Sequence, residues 1–335
     1  MKRVTIKDVA KEAGVAISTA SNAMNGSDLV NEKTRIKIRE VAERINYMPN
    51  LNGRYLKTGK TNMLGFISSN ARGPYFYRMF EAMCRECERL GYVMNLIVTT
   101  DKNIIMHNLL GHGFDGFFLF EGNHIKTSDL EILEKNQVET ILLDRCYSSK
   151  HIGSVVFNSY QSGYELTQYL INLGHKRMCF IEGADDVYDS EERKRGYKDA
   201  LQAYNIEEDE SLIIKGYFEE RYTYNAVTSM LKYQKQPLPD AFIAGNDQSA
   251  IGCMKALKDL GYIVPDDVSV VGFDDIELAE YLSPSLTTVR NPIDRQGIMS
   301  VDLMVKMIQK EIEGSVVSLD GELIMRKSSG VVKKQ

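Results

Sequence analysis

Residues 5–26 read TIKDVAKEAGVAISTASNAMNG, a stretch rich in small residues that holds two short helical patterns with one glycine between them. Thr5 and Asp8 have the spacing of a capping box, and Gly14 is placed to end the first helix in a left-handed conformation. A third helix is predicted to begin at Asn31, a good N-cap. Apolar residues recur at helical spacing in all three segments: Ile6, Val9, Ala10 and Ala13; Ala20, Ala23 and Met24; Ile38, Val41, Ala42 and Ile45. The stretch therefore predicts an all-α helix-turn-helix head built from three short helices.

The polar side of the second predicted helix carries Ser18, Asn22 and Asn25, and residues 17–25 contain no acidic side chain. Because alanine side chains let two helices cross closely, the second helix can present this side to the major groove of DNA. Ser and Asn side chains donate to phosphates and read base edges, whereas acidic side chains would be repelled. These features favour DNA binding over the alternative, an ordinary three-helix bundle with a polar surface.

Charge is distributed unevenly along the chain. It has 335 residues, of which 43% are hydrophobic and 26% charged, so two or three ordinary globular domains are expected. Residues 1–60 hold 12 Lys and Arg against 6 Asp and Glu, a net charge of +6, while the remaining 275 residues carry −11. This asymmetry indicates an electrostatic partner for the head, usually nucleic acid, although a solvated basic surface would have the same charge.

The cellular compartment is predicted from cysteines and apolar runs. Five cysteines, an odd number, indicate no disulfide framework and suit a reducing compartment. No apolar run reaches the roughly 18–20 residues that a membrane span requires, and the start of the sequence does not have the pattern of a signal segment. We therefore expect a cytoplasmic protein with no membrane partner.

Three segments of the head closely resemble the lactose-repressor/galactose-repressor family of bacterial transcription regulators: TIKDVAKEAGV, STAS leading into NAMNG, and NEKTRIKIREVAERINYMPN. The resemblance is collinear over nearly the whole chain. It implies that Ile17, Ser18 and Asn22 read bases from the recognition helix. The other DNA-binding residues that it implies, mostly phosphate-facing, are Thr5, Thr19, Ser21, Asn25, Asn31 and Thr34.

The head departs from the family pattern at two positions. Ala16 stands where the family usually has a serine that caps the recognition helix and touches phosphate. Losing such a cap costs about 0.5–2 kcal/mol, so we expect this helix to order mainly on DNA. Asn22 stands where arginine is common, and arginine favours guanine whereas asparagine favours adenine. The operator half-site is therefore expected to differ from the family consensus at the base that faces Asn22.

Residues 46–59 read NYMPNLNGRYLKTG and contain one proline, two glycines and few core residues, so they predict a linker. The segment also resembles the family's hinge helix, which orders on DNA when two protomers pair. The resemblance implies that Leu56 wedges into the minor groove and that Arg54 lies along the DNA backbone. Gly53 replaces a usual alanine at a cost of roughly 1 kcal/mol, so we expect no ordered helix without DNA. The alternative is a plain flexible linker with an incidental leucine.

From residue 62 onward, short apolar runs alternate with amphipathic stretches, which predicts parallel sheets covered by helices on both faces. Two sets of runs, separated near residues 155–162, indicate two similar lobes. The predicted strands are 63–68, 92–99, 114–120, 140–144, 177–183, 211–216, 240–245 and 268–273, and the helical stretches include 76–90, 160–173, 195–205 and 247–260.

The same resemblance implies a two-lobed α/β domain similar to periplasmic sugar-binding proteins, with parallel sheets and three crossover strands. The domains implied are a helix-turn-helix domain at 1–46, a hinge at 47–61 and an effector-binding and dimerisation domain at 62–335. Lobe 1 is expected to span about 62–160 and 291–318, and lobe 2 about 161–290 and 319–335.

Residues that follow the predicted strands are candidates for a small-molecule site, because open α/β sheets bind ligands beyond the carboxyl ends of their strands. Carboxylates accept hydrogen bonds from hydroxyls, Arg and Asn donate, and aromatic rings stack on apolar ring faces. The candidates are Tyr75, Phe76, Asp144, Arg193, Phe218, Asn246, Asp247 and Asp274. For each aspartate alone, the alternative is a helix cap, which is common at strand ends.

The resemblance assigns roles to several of these candidates. Arg193 in RKRGY is similar to the family's ligand-clamping arginine, and Asp247 in GNDQSAIG matches its ligand-binding aspartate. Tyr75 and Phe76 match the aromatic edge of the pocket. In GFDD, the pair 274–275 is expected to be partly structural.

Other motifs are predicted to carry no chemistry. GHGFDG at 111–116 fits a dinucleotide fingerprint in its letters, but it precedes a predicted strand instead of following one. Cys84 and Cys87 form a CxxC without a second cysteine pair or a histidine cluster at zinc spacing, so packing is expected. We find no Ser-His-Asp pattern or phosphate loop, and we expect no catalytic residue, metal or cofactor.

Together these patterns predict a sequence-specific DNA-binding transcriptional regulator, a repressor controlled allosterically by a small polar ligand such as a sugar bound between two lobes. Its expected partners are a near-palindromic double-stranded operator, a second copy of the chain and the effector. Two alternatives stay open: a sugar-binding protein without a DNA role, which the basic head opposes, and an α/β sugar-metabolising enzyme, which lacks a catalytic constellation.

Overall fold

The computed structural model describes residues 4–25, 27, 29–48, 60–120, 124–185, 187–233 and 237–332. The chain divides into two units, Met1–Thr61 and Asn62–Gln335, and each has a hydrophobic core of its own. The predicted hinge residues Gly53, Arg54 and Leu56 lie outside the described residues. Within the described ranges, no helix is long and apolar enough to cross a membrane.

Three helices form the head: α1 (Ile6–Ala13), α2 (Ile17–Met24) and α3 (Glu32–Arg44). Their common core contains little side-chain volume, and Ile38 is its largest fully buried side chain. The buried residues of this core are Val9, Ala10, Ala13, Ala20, Ala23, Val30, Ile38, Val41 and Ala42. Because most of them are alanine or valine, the helices can approach closely, but few large apolar contacts hold the head together.

The predicted caps of α1 and α3 are confirmed. The Asp8 carboxylate accepts hydrogen bonds from the backbone N–H of Thr5 at 2.8 Å and from its hydroxyl at 2.7 Å. Gly14 follows α1 with a φ of 66°, a left-handed conformation that favours glycine. At the start of α3, the Asn31 side chain accepts the N–H of Thr34 at 2.9 Å.

The second unit contains two six-stranded sheets. The first sheet has the order β11-β5-β4-β3-β1-β2 and the second β12-β10-β9-β8-β6-β7. The first sheet comprises β1 (Met63–Ser68), β2 (Val93–Val98), β3 (Gly116–Phe120), β4 (Thr140–Leu142), β5 (Ile152–Phe157) and β11 (Val316–Leu319). The second comprises β6 (Met178–Glu182), β7 (Ile213–Lys215), β8 (Ala241–Ala244), β9 (Ser269–Phe273), β10 (Thr287–Arg290) and β12 (Glu322–Ile324).

Helices cover both faces of each sheet, so each sheet is enclosed by two apolar clusters. Beside the first sheet lie α4 (Gly73–Arg89), α5 (Lys102–Leu110), α6 (Thr127–Lys135) and α12 (Ile293–Ile308). Beside the second lie α7 (Ser159–Asn172), α8 (Tyr188–Ala203), α9 (Glu220–Thr228), α10 (Asp247–Asp259) and α11 (Glu277–Tyr281). We call the first sheet with its helices the first lobe, and the second sheet with its helices the second lobe.

The predicted parallel sheets are confirmed with one exception. The described strand pairs are parallel except for β10 and β12, which pair antiparallel at the edge of the second sheet. An edge strand can run in either direction because it has only one neighbour to satisfy. The two-lobed α/β architecture is as expected.

The chain passes between the lobes after β5, β10 and β11, so three connections lie side by side. The Asn158 side chain in the first connection donates to the Asp320 carboxylate in the third at 2.9 Å. Beside them is Gly321, where an added Cβ would lie 2.5 Å from Val289 and 3.2 Å from Asn291. Only a glycine fits this close packing of the three connections.

The eight predicted strands are confirmed with ends shifted by two residues or fewer, but four strands were not predicted. Strands β10, β11 and β12 are short, and β5 lies in the segment interpreted as the separator of the lobes. The helix predicted at 195–205 begins earlier, at Tyr188, because its first turns are polar but pack inward through Ser190 and Arg193. GHGFDG forms a turn before β3, as predicted.

Candidate DNA-reading face and effector cleft

Helix α2 has one packed side and one exposed side. Ala20 and Ala23 are fully buried, while Ile17 is 49% exposed and Ser18 is exposed beside it. Ala16 occupies the N-cap with extended backbone and no capping hydrogen bond from its side chain. The buried alanines of α2 belong to the common core of the head, and the expectation that the helix orders mainly on DNA stays a prediction. Tertiary packing of its alanines compensates for the missing cap.

The other predicted DNA-contacting residues of the head lie at helix ends or on half-buried positions. Thr5 and Asn31 are exposed N-caps of α1 and α3, where unpaired backbone N–H groups can receive a phosphate. Asn25 is exposed and donates to the Ser21 hydroxyl at 3.4 Å. The half-buried positions are Thr19, Ser21, Asn22 and Thr34.

Arg193 is a buried charged side chain of the second lobe. It lies on α8 and is 4% exposed. Its guanidinium donates to the carbonyl of Gly245 at the end of β8 and lies 4.6 Å from the centre of the Phe273 ring. Its Nε has no hydrogen-bond partner among the described residues. A buried donor left open in this way is suited to a ligand acceptor.

Asp274 is the counter-charge of Arg193. Its Oδ1 lies 3.6 Å from the Arg193 guanidinium and accepts the side-chain amide of Asn291 at 3.1 Å. Burial raises the pKa of the Asp274 carboxyl to about 6, although Arg193 and Asn291 favour its ionised form. The residue follows β9 directly with a φ of 105°, a strained conformation of the kind found at binding sites.

Phe218 covers the carboxyl ends of two strands of the second lobe. A Cβ added at Gly183 after β6 would collide with its ring, and one at Gly245 after β8 would lie 3.0 Å from it. Tyr217 and Phe218 have φ values of 56° and 61°, so the backbone is turned to place the ring there. The Asn246 side chain donates to the Phe218 carbonyl at 3.2 Å and supports the turn.

Tyr75 presents an aromatic ring from the first lobe. Its hydroxyl donates to Gln296 at 2.7 Å, and the Gln296 amide donates in turn to the carbonyls of Leu143 and Val155. The ring centre lies 5.7 Å from that of Phe120 and 6.1 Å from that of Phe157. Burial raises the pKa of the Tyr75 hydroxyl, and the carboxylates of Asp189 and Asp274 raise it further. Tyr75 therefore faces charged groups of the second lobe.

Asp144 follows β4 in the first lobe and is 8% exposed. Its Oδ1 lies 3.6 Å from the Arg145 guanidinium and has no hydrogen-bond partner in the part of the chain that the structure describes. Burial raises the pKa of the Asp144 carboxyl to about 6; the charge of Arg145 lowers this pKa, and that of Asp189 raises it. The first lobe therefore offers a buried acceptor, as the second lobe offers a buried donor.

Two functional candidates on α8 were missed by the sequence analysis. Asp189 accepts the Ser159 hydroxyl at 2.5 Å, and its charge acts on Tyr75, Asp144 and Asp274. Tyr188 accepts a hydrogen bond from the thiol of Cys146 at 3.1 Å, which is a direct contact between the lobes. Both residues lie directly after the loop that follows β6. A sequence prediction that began α8 at Tyr188 would have placed them at this strand end.

Three of the residues that were predicted to bind a ligand have structural contacts, and their role in binding stays a prediction. Phe76 is buried in the core of the first lobe, where its ring stacks on Phe80. Asp247 is fully buried and accepts the Thr288 hydroxyl at 2.6 Å and the N–H of Ile276 at 3.0 Å. The Asn246 oxygen caps α10. A sequence shows that a residue follows a strand, but not on which side of the strand end its side chain lies.

The fourth aspartate at a strand end, Asp275, belongs to the pair 274–275 that was expected to be partly structural. Its carboxylate accepts from Arg290 and from Arg326, each at 2.7 Å. The structure therefore brings together Tyr75, Asp144, Arg193, Phe218 and Asp274, and adds Asp189 and Asn291.

Comparison with known proteins gives two matching family descriptions. Residues 5–50 match "Bacterial regulatory proteins, lacI family", and residues 167–329 match "Periplasmic binding protein-like domain". Among curated proteins, the HTH-type transcriptional repressor PurR of Vibrio atlanticus is 32% identical over 329 residues, covering 96% of this chain and 97% of that protein.

Two solved structures of transcriptional regulators match this chain over nearly its full length. A complex of the transcriptional regulator CelR with cellobiose is 27% identical with a TM-score of 0.73, covering 97% of this chain and 100% of that one. The lac repressor dimer bound to operator has a TM-score of 0.86 at 24% identity, covering 98% of this chain and 100% of that one, and so shares the fold. The head and the two-lobed domain are both matched by these relatives. The chain therefore belongs to the lacI family of bacterial regulatory proteins, and it is a DNA-binding transcriptional regulator with an effector domain, not an enzyme.

Proposed function

We propose that this protein represses transcription in the cytoplasm as a homodimer on a near-palindromic operator, and that a sugar or sugar derivative bound between its lobes controls that activity. The proposal rests on two buried polar atoms that have no hydrogen-bond partner among the described residues. They are the Arg193 Nε in the second lobe and the Asp144 Oδ1 in the first. A ligand hydroxyl both donates and accepts, so a polyhydroxylated molecule can satisfy both atoms.

We assign the ligand contacts to the residues that face each other in this cleft. Asp144, Asp189 and Asp274 accept hydroxyls, while Arg193 and Asn291 hold the second-lobe end in place. The rings of Tyr75 and Phe218 bound the cleft and suit the apolar face of a sugar ring. The complexes of related regulators with cellobiose and with ribose support a sugar as the effector class.

The control of DNA binding follows from a difference in ligand affinity between two lobe arrangements. A ligand that satisfies one buried atom in each lobe binds the closed arrangement better than an open one, so it shifts the population toward closure. The connections after β5, β10 and β11 are packed against one another and would transmit this change as a rigid movement. The hinge at 47–61 is the proposed link to the head.

We assign base reading to Ile17, Ser18 and Asn22, with phosphate contacts from Thr5, Thr19, Ser21, Asn25, Asn31 and Thr34. Arg54 and Leu56 are proposed to act at the operator centre. One head reads one half-site, so the two-fold symmetry of a dimer requires symmetric half-sites about one helical turn apart. Phosphate contacts should make operator affinity fall steeply as salt is raised.

The substitution Asn22→Arg is expected to change the preferred base at one operator position from adenine to guanine. Asparagine pairs with adenine and arginine with guanine, and each good pair is worth about 1–3 kcal/mol. Selection from a library randomised across the half-site measures the change. Recovery of the same base by wild type and variant would show that Asn22 does not read that position.

Effector affinity is expected to fall as the pH decreases through about 6. Asp144 and Asp274 have pKa values raised to about 6, so acidification protonates them in the free protein. Ligand hydroxyls donate to the ionised carboxylates, so each protonation opposes binding by up to about 1.4 kcal/mol per pH unit below 6. Titration calorimetry at several pH values measures the slope. A slope retained in a variant with asparagine at both positions would assign it to other groups.

The proposal as a whole is tested with the intact protein and DNA from upstream of its own gene. A gel shift at increasing salt should show specific binding that weakens steeply, and a thermal-shift screen of sugars should identify a stabilising ligand. That ligand should then change operator affinity. Sugar binding without operator binding would support the sugar-binding alternative, and operator binding without any sugar response would contradict the effector assignment.

A further inference from the structure

Among the residues that the structure describes, the cleft contains more negative than positive charge. Its carboxylates are those of Asp144, Asp189 and Asp274, and its guanidinium groups are those of Arg145 and Arg193. Arg193 is paired with Asp274, so that end of the cleft is balanced. At the other end, Arg145 lies 3.6 Å from Asp144 and also donates to the Ile125 carbonyl at 2.6 Å, so one guanidinium stands against the two carboxylates of Asp144 and Asp189. The excess negative charge therefore lies at the Asp144 and Asp189 end.

Asp144 and Asp189 lie near each other on opposite lobes. The thiol of Cys146, two residues after Asp144, donates to the hydroxyl of Tyr188, next to Asp189, at 3.1 Å. The two carboxylates interact electrostatically, since the negative charge of Asp189 contributes to the raised pKa of Asp144. Two neighbouring carboxylates repel, so this approach of the lobes opposes closure unless a group between them offsets the charge.

One carboxylate oxygen of Asp144 has no hydrogen-bond partner among the described residues. This oxygen is the Oδ1, and the residue is 8% exposed. A buried carboxylate oxygen without a donor costs free energy in the ligand-free protein. Such a cost is typical of a position that a ligand completes.

We propose that the effector carries a protonated amine, as an amino sugar does, and that this group binds between Asp144 and Asp189. The inference rests on the proposed sugar effector and names its chemical class. An ammonium group has three donors and one positive charge, so it can donate to both carboxylates and remove the excess charge. A hydroxyl donates once and leaves the charge in place, and an anionic sugar is repelled.

The test compares matched sugars on the full-length protein by titration calorimetry at neutral pH. The pairs are glucose with glucosamine and galactose with galactosamine, and the N-acetyl derivatives keep the substituent but remove the charge. We expect at least one amino sugar to bind about tenfold or more tightly than its neutral and N-acetyl counterparts, as a buried charge-assisted contact implies. Asp144→Asn should remove this preference.

Asp275→Asn is the matched control. Asp275 lies next to Asp274 in sequence but is occupied by Arg290 and Arg326, so its replacement should leave the preference for the amine unchanged. Equal or tighter binding of the neutral sugars would overturn the inference while the sugar effector stands. Binding of no sugar of either series would overturn the proposed function and the inference with it.

A second readout needs no ligand. Asp144→Asn should raise the melting temperature of the free protein, because the cost of burying this carboxylate outweighs its attraction to Arg145. Asp275→Asn should lower it, because two arginines lose their partner. A melting temperature lowered by both substitutions would make Asp144 a structural residue and contradict its role in binding.

Discussion

Arg193→Ala is expected to abolish the response to the effector while operator binding by the intact protein persists. The substitution removes the buried donor that the ligand would use and leaves Asp274 without its counter-charge. Truncating one partner of a buried, hydrogen-bonded charged contact costs about 2–5 kcal/mol of binding free energy, which corresponds to a loss of roughly thirtyfold or more in affinity. Calorimetry with the effector and a gel shift with operator DNA measure the two activities separately.

Arg195→Ala is the control for this substitution. Arg195 lies on the same helix, but its guanidinium is solvent-exposed, pairs with Glu192 and lies 4.3 Å from the centre of the Tyr160 ring. The Arg195→Ala variant should therefore retain effector binding. Arg193→Lys keeps the charge but not the forked geometry, so an intermediate loss is expected. If Arg193→Ala lost operator affinity and kept effector binding, the assignment of the cleft would be wrong.

Ile38→Ala is expected to unfold the head and to eliminate operator binding without affecting the effector domain. Ile38 is fully buried and is the largest such side chain in a core composed mostly of alanine and valine. Truncating a buried isoleucine to alanine costs about 2–5 kcal/mol, which is comparable to the whole stability of a small domain. Calorimetric unfolding should show the transition of residues 62–335 unchanged, since that unit has its own core.

Ile36→Ala provides the matched comparison on the same helix. Its side chain is 49% exposed, so its loss should change the stability of the head only slightly and leave operator binding intact. Equal effects of the two substitutions would mean that the packing of α3 against α1 and α2 does not hold the head together.

The head could be predicted closely because its signals are local. Caps at Thr5, Gly14 and Asn31 lie within one turn of the groups that they satisfy, so spacing alone locates the helix ends. The strands were also found from short apolar runs. Strand β10 was missed because its sequence, TTVR, has too few apolar residues to form a run, although its first three residues are buried.

The cleft could be predicted only in part, because its contacts are distant in sequence. Gln296, which orients Tyr75, is 221 positions away from it in sequence, and Asn291, which holds Asp274, directly follows β10, a strand that the sequence did not predict. Neighbouring candidates also have different roles: Tyr75 faces the cleft and Phe76 the core, while Asp274 pairs with Arg193 and Asp275 with two other arginines. No local pattern distinguishes such neighbours.

Sequence patterns were enough to predict the helix-turn-helix head, the alternation of strands and helices, and the strand ends at which a ligand site would form. These follow from periodicity and capping, which act over a few residues. Which buried polar groups are left without a hydrogen-bond partner became visible in the folded chain alone. Whether a buried atom such as the Asp144 Oδ1 finds a partner depends on side chains brought together from both lobes, and that is a property of the fold.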